Sequence, residues 1–246
     1  MLDIESNDLI DGLEQFEYER ISKHLELVHL DMGDRLTSTG KAIQHVYFPT
    51  TSLISVTIDL SDGYSADAAF IGKDSMVGIG VLGNDISFCT TNVRMPGYAL
   101  KMPVTALWEE FERHSELTQY ILIASRKLIF QTAQNSICKR HHSIHQQFIR
   151  WILETFDKIN VDHLQITHEQ IAAILGVRRE AISLCAKKLS DTGLISYPRG
   201  NLRLLDKGGL LAQCCECYTT VKTNCSSNAA IHRAAEVIRY NRTVSI

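Results

Sequence analysis

The stretch Ile166-Thr167-His168-Glu169-Gln170-Ile171-Ala172-Ala173-Ile174-Leu175-Gly176-Val177-Arg178-Arg179-Glu180-Ala181-Ile182-Ser183-Leu184-Cys185-Ala186-Lys187-Lys188-Leu189 decides how this chain reads. Thr167 and Gln170 have the spacing of a capping box, in which each side chain bonds the other residue's backbone N–H, so a helix starts at Thr167. Gly176 supplies the left-handed backbone conformation that ends it sharply. A second helix then runs from Arg178 to Leu189. Its Ile182, Cys185 and Leu189, spaced three and four apart, face inward, leaving Arg178, Arg179, Glu180, Ser183, Leu184, Lys187 and Lys188 outside. Two short helices joined at a glycine, the second with basic and hydrogen-bonding residues at its start, form a helix-turn-helix.

That pattern suits a DNA duplex. Arginine makes two hydrogen bonds to guanine O6 and N7, and glutamate accepts from cytosine N4. Lysines and a helix N-terminus hold phosphates. Downstream, Gly193-Leu194-Ile195-Ser196-Tyr197 passes through Pro198-Arg199-Gly200-Asn201 to Leu202-Arg203-Leu204-Leu205, a β-hairpin wing with Arg199 at its tip. Thr167, Arg178, Arg179, Glu180, Ser183, Leu184, Lys187, Lys188 and Arg199 are therefore the expected DNA-facing set.

Charge along the chain supports the same division. Residues 1–117 hold 8 Lys/Arg and 19 Asp/Glu, residues 118–246 hold 17 and 9, and the whole chain has a formal charge of −3. An acidic front and a basic back predict two modules with different partners, the basic one meeting phosphates. The 246 residues suffice for one large or two small cores. The acidic start Met1-Leu2-Asp3-Ile4-Glu5 is unlike a secretory signal, and no apolar run approaches the ~18–20 residues of a membrane span. Seven scattered cysteines argue against a disulfide framework, so the expectation is a cytoplasmic protein with reduced thiols and no membrane partner.

Toward the N-terminus, residues 8–30 contain helical pieces with apolar spacing, Leu9, Ile10, Leu13 and Phe16, then Ile21, Leu25 and Val28. From Val46 the period becomes two. Ile54, Val56, Ile58 and Leu60 alternate up to the hairpin signal Ser61-Asp62-Gly63. Ala66, Ala68 and Phe70 continue the alternation, Val77, Ile79 and Val81 lead to Leu82-Gly83-Asn84-Asp85, and short strands cover Thr91–Arg94 and Tyr98–Met102. Strands punctuated by glycine turns predict an antiparallel β-roll of jelly-roll type. Ser115 then caps a helix running to about His141, read as a spacer or dimer seam, and a further apolar helix carries Phe148, Ile149, Trp151, Ile152, Leu153 and Phe156. The expected fold is α+β: a β-roll sensor over 1–114, a dimerisation helix over 115–142, and a winged helix-turn-helix with a helical extension over 143–246.

This order of parts resembles the Crp/Fnr family of bacterial transcription regulators, most specifically over Ile166–Ile195. The resemblance implies that Arg179 and Glu180 read bases and Arg178 supports the phosphate backbone. Leu184 stands where cyclic-AMP-binding members have arginine, which implies a different operator; its side chain either touches a thymine methyl or packs beside the next helix. The family's cyclic-nucleotide pocket uses a glutamate and an Arg-Ser pair, and these positions hold Ile79 and Cys89-Thr90. Burying a phosphate without the arginine leaves its charge unpaired, so cyclic AMP is not the expected effector. Arg94 lies nearby, and Thr132 and Ala133 occupy the helix region that meets nucleotide in relatives. The effector-pocket set is thus Ile79, Cys89, Thr90, Thr132 and Ala133, with the ligand unknown. The first cysteine being Cys89, the iron–sulfur mechanism of the oxygen-sensing branch is not expected. The resemblance also implies a homodimer on double-stranded DNA and contact with RNA polymerase.

Gln213-Cys214-Cys215-Glu216-Cys217 leaves two readings open. Cys214 and Cys217, with Cys225 or His232, have the residue types of a tetrahedral zinc site; alternatively they are small core residues on one helical face. No metal or cofactor is assigned, and Cys185 is read as core. His141 and His142 suit the C-terminal dipole of the long helix. Without a phosphate-cradling loop, an H-E-x-x-H helix or a nucleophile elbow, no enzyme is expected. The reading is a sequence-specific transcription regulator gated by an unidentified signal. The alternative is a metal- or thiol-dependent sensor whose C-terminal module docks a protein partner.

Overall fold

The computed structural model describes residues 6–59, 61, 65–83, 85–159 and 161–225. Leu60, Asp62, Gly63, Asn84 and His232, used in the reading above, lie outside the described residues, as do Met1–Glu5 and the Cys225 side chain.

Two short helices, α1 (Asp8–Asp11) and α2 (Gln15–Ile21), precede seven strands: β1 (Glu26–Leu30), β2 (Arg35–Thr37), β3 (His45–Pro49), β4 (Leu53–Asp59), β5 (Ser65–Ile71), β6 (Thr90–Met95) and β7 (Gly97–Pro103). They form two antiparallel sheets, ordered β1-β7-β3 and β2-β6-β4-β5. The alternation at Ile54 and Val56 puts both inward, where Ile71, Val93 and Ala99 meet them. Val46, Phe48 and Met102 of the other sheet pack under Leu107, Leu117, Tyr120 and Ile121.

Two stretches differ from expectation. Leu25 and Val28 do not continue the helix; Val28 lies in β1, paired with Ala99. A free strand edge on β7 outweighs a weak helical spacing there. Ile79–Leu82 is a 3-10 turn, not a strand, because Gly78 enters it at φ 99° and directs the chain away from the sheet.

After α3 (Val104–Glu112) comes α4 (Glu116–His141), whose Ser115 side chain accepts from Thr118 N. At 26 residues α4 is about 39 Å long. The chain breaks at His142 and restarts in α5 (Ile144–Lys158) through a Ser143–Gln146 capping box. The C-terminal module follows: β8 (His163–Gln165), α6 (His168–Leu175), α7 (Arg179–Asp191), β9 (Ile195–Ser196), β10 (Asn201–Leu204), α8 (Lys207–Gln213) and α9 (Glu216–Cys225). β10 pairs with β9 as the wing and also with β8, a three-residue strand too short to carry a readable alternation.

The two modules share packed surface. Leu53 and Met95 of the roll belong to the same buried cluster as Phe148, Trp151 and Ile152 of α5. Asn135 Nδ2 donates to Ala68 O at 2.9 Å, and Lys158 Nζ pairs with Asp74 at 3.1 Å. This is an α+β chain with an N-terminal antiparallel β-roll, a long helix and a winged helix-turn-helix.

Candidate nucleic-acid interface and sensor cavity

The capping box at the start of α6 forms as the spacing requires. Thr167 N donates to Gln170 Oε1 at 2.7 Å, and Gln170 N to Thr167 Oγ1 at 3.2 Å. Gly176 ends α6 at φ 69°, ψ 37°, and Val177 N returns to Ala172 O at 3.0 Å. This tight exit fixes the angle at which α7 departs.

α7 buries Ile182, Ala186 and Leu189 and is anchored by them. Arg178, Arg179, Glu180, Lys187 and Lys188 are exposed, and Leu184 is 71% exposed, so it does not pack against the next helix. None of these five charged tips is ion-paired with another described residue. Arg178, the residue before α7, is extended and makes no side-chain cap. Arg199 sits exposed at the wing tip with φ 50°, ψ 40°.

Ser183 and Thr167 are placed differently from the tips. Ser183 Oγ donates to Arg179 O at 3.1 Å and lies 3.0 Å from His168 Nδ1. Thr167 is exposed, but its hydroxyl serves the capping box, donating to Gln170 Oε1 at 3.0 Å. The sequence reading missed His168, which joins the helix-turn-helix to the wing: its ring meets Tyr197 edge-on at 4.8 Å between centroids, and Tyr197 OH donates to Ile166 O. Burial, then the positive Arg179 nearby, lowers the His168 pKa below its ordinary value, so the imidazole stays neutral near pH 7. Its neighbour spacing carries no signal of this role, which depends on contacts across the module.

In the roll, a cavity of about 460 Å³ opens between the sheet and α4. Four of the five expected effector-pocket residues line it: Ile79 and Cys89 from the roll, Thr132 and Ala133 from α4. Thr90 does not; its hydroxyl donates to Asp59 Oδ2 at 2.5 Å and lies 3.3 Å from Thr39 Oγ1. Val56, Ile58, Ile71, Phe88, Leu128 and Ile129 make the wall largely apolar beside the hydroxyls of Thr37, Ser87, Thr91 and Ser136, and among the described residues no lysine or arginine lines it. Arg94 is committed elsewhere, forked onto Asp67 at 2.8 and 3.1 Å with Ser55 Oγ at 3.0 Å. Burial pushes the Cys89 thiol pKa up, so this wall carries no negative charge either.

The terminal cysteines pack as small buried residues, though not on one helical face, while the Cys225 side chain and His232 of the zinc reading lie outside the described residues. Cys214 is the residue after α8, not a helical neighbour of Cys217. Cys215 and Cys217 are buried against Cys138 of α4, with His142 beside them. The 77-residue separation between Cys138 and Cys215 leaves no local spacing to reveal the grouping. Cys185 is half-buried against the module core.

Residues 146–213 match the Crp-like helix-turn-helix domain. The match favours DNA over a protein as what the C-terminal module meets. No curated protein matches the chain. Among solved structures, FixK2 from Bradyrhizobium japonicum superposes with a TM-score of 0.67 at 12% identity, covering 78% of this chain and 98% of its own. A putative Crp/Fnr-family transcriptional regulator from Eubacterium rectale gives 0.60 at 17% identity, covering 83% and 96%. The c-di-GMP responsive global regulator CLP of Xanthomonas campestris gives 0.59 at 15% identity, covering 79% and 100%. The chain therefore shares the fold of these regulators, and its residues 146–213 match the Crp-like helix-turn-helix domain.

Proposed function

We propose that this protein is a homodimeric, sequence-specific DNA-binding transcription regulator that reads a palindromic operator and is gated by a signal other than cyclic AMP. The observation that carries the reading is the α7 surface: Arg178, Arg179, Glu180, Leu184, Lys187 and Lys188 project from a helix whose opposite side is fully packed. Arg179 and Glu180 read base edges, Arg178, Lys187, Lys188 and Arg199 hold phosphates, and Thr167 and Ser183 act through the capping and His168 contacts that orient α7.

Dimerisation is supported by α4. Leu122, Arg126, Ile129, Ala133, Ser136 and Arg140 are exposed at alternating spacings of four and three, the a/d stripe of a two-helix seam. A two-fold dimer through this stripe presents two α7 helices to half-sites about 34 Å apart. The division into sensor (1–114), seam (115–142) and reader (143–246) follows from the same reading.

The effector belongs in the roll cavity, at Ile79, Cys89, Thr132 and Ala133. An apolar wall without a cationic side chain disfavours a cyclic phosphate, which would lose its hydration there without a compensating charge. An uncharged, largely apolar ligand suits it. Regulation acts through RNA polymerase in the cytoplasm; in keeping with that, no helix among the described residues is long and apolar enough to cross a membrane. The test is selection of genomic fragments by the purified full chain. Enrichment of a two-fold-symmetric sequence supports the reading, and recovery of no preferred sequence contradicts it.

A further inference from the structure

We propose that Cys138, His142, Cys215 and Cys217 form a closed tetrahedral zinc site that fastens α9 to the end of α4. The four ligand atoms, three sulfurs and one ring nitrogen of His142, all lie within 4.8 Å of one another. Cys138 Sγ stands 3.7 Å from Cys215 Sγ, and Cys217 Sγ 3.4 Å from His142 Nδ1. With Zn–S bonds of about 2.3 Å and Zn–N of about 2.0 Å, the edges of a regular tetrahedron are about 3.8 Å for S···S and about 3.5 Å for S···N. These two contacts therefore match edges of the polyhedron a zinc ion imposes.

The chain reaches this geometry from two directions. Cys138 lies in the last turns of α4, and His142 is the extended residue that caps the helix, its N–H donating to Cys138 O. Cys215 and Cys217 are alternate residues where the chain enters α9. The three cysteines are at most 3% exposed, and the His142 side chain is 15% exposed. Four protein ligands leave no open position, which makes the site structural instead of catalytic.

The surroundings are those of a metal-bound histidine and metal-bound sulfurs. His142 Nε2 lies 3.3 Å from Glu216 Oε2, so a carboxylate holds the far side of the ring and directs Nδ1 inward, the carboxylate–histidine–metal arrangement. Gln134 Nε2 donates to Cys217 Sγ at 3.0 Å. The Arg150 guanidinium lies beside Cys138. On binding, Zn²⁺ displaces the three thiol protons to solvent, and three thiolates with one neutral imidazole leave the centre with one negative charge.

His142 is also the break between α4 and α5, and Gln147 Nε2 donates to its carbonyl at 2.8 Å. A metal at this point pins the hinge between the seam helix and the DNA-reading module. No electron transfer is involved.

The test uses the full chain purified under reductant from zinc-supplemented medium. Elemental analysis is expected to find one zinc per chain, and cobalt exchanged into the site should give the intense visible bands of a tetrahedral thiolate complex. Cys138→Ser and Cys217→Ser should each remove both signals, while Cys214→Ser and Cys89→Ser keep them. Should the quartet variants fail to fold, the wild type alone decides: chelation of its zinc must lower its melting temperature and re-addition restore it. A wild-type chain that takes up neither zinc nor cobalt, or a Cys214→Ser variant that loses metal as Cys138→Ser does, overturns the proposal.

Discussion

Gly72 of the roll abuts the carbonyl of Lys158 at the end of α5 so closely that a methyl group at position 72 would sit 2.6 Å from that oxygen. The adjacent Lys73 N donates to the same carbonyl at 3.1 Å. Glycine here lets the sensor and the DNA-reading module meet backbone to backbone. Gly72→Ala should push them apart at a cost of about 1–3 kcal/mol. Thermal unfolding checks this; an unchanged melting temperature would show that the contact does not hold the modules.

The Arg94–Asp67 fork bears on the effector. Asp67 is buried, accepts from Thr57 Oγ1 at 2.7 Å, and takes both Arg94 contacts. With that arginine occupied and none on the cavity wall, calorimetry with cyclic AMP is expected to yield no saturable heat. Saturable binding that disappears in Thr132→Leu would place the nucleotide in the cavity after all.

His168 makes the reader module pH-sensitive. Its folded pKa is lowered by burial and by Arg179, below the ordinary value of 6.5. The folded state therefore binds the proton less well than the unfolded chain. Its contribution to stability is present above the unfolded value and is lost as pH falls from there through the lowered folded value. Urea midpoints at about pH 7.5 and about pH 5.5 should diverge more in the wild type than in His168→Asn. Equal losses would remove His168 from the acid response.

Much of the reader was legible before any coordinates because its signals are local. The Thr167–Gln170 box and the Gly176 exit, like the Ser115 cap of the seam helix, each depend on residues within one turn. The β4–β5 alternation was legible for the same reason, since a period of two needs only a run of neighbours. What escaped was set by distant partners. Val28 became a strand through Ala99, Thr90 turned to Asp59 instead of the cavity, and His168 found Ser183 and Tyr197. The grouping of Cys138 and His142 with Cys215 and Cys217 likewise exists only after α9 returns to α4.

The exposed stripe on α4 predicts how subunits meet. Replacing Leu122 and Ile129 together by aspartate puts like charges across the seam. The double variant should sediment as a monomer where the wild type sediments as a dimer. A variant dimer of unaltered affinity would mean that the subunits pair through another surface.

Whether the first turn of α7 reads DNA is decided on the selected operator by comparing Arg179→Ala with Lys188→Ala. Loss of Arg179 should cost about 1–3 kcal/mol and relax the preference at one base pair of each half-site. Loss of Lys188 should weaken all sequences alike and reduce the salt slope by about 1. If Arg179→Ala binds that operator with wild-type affinity and unaltered base preference, α7 does not read bases through its first turn.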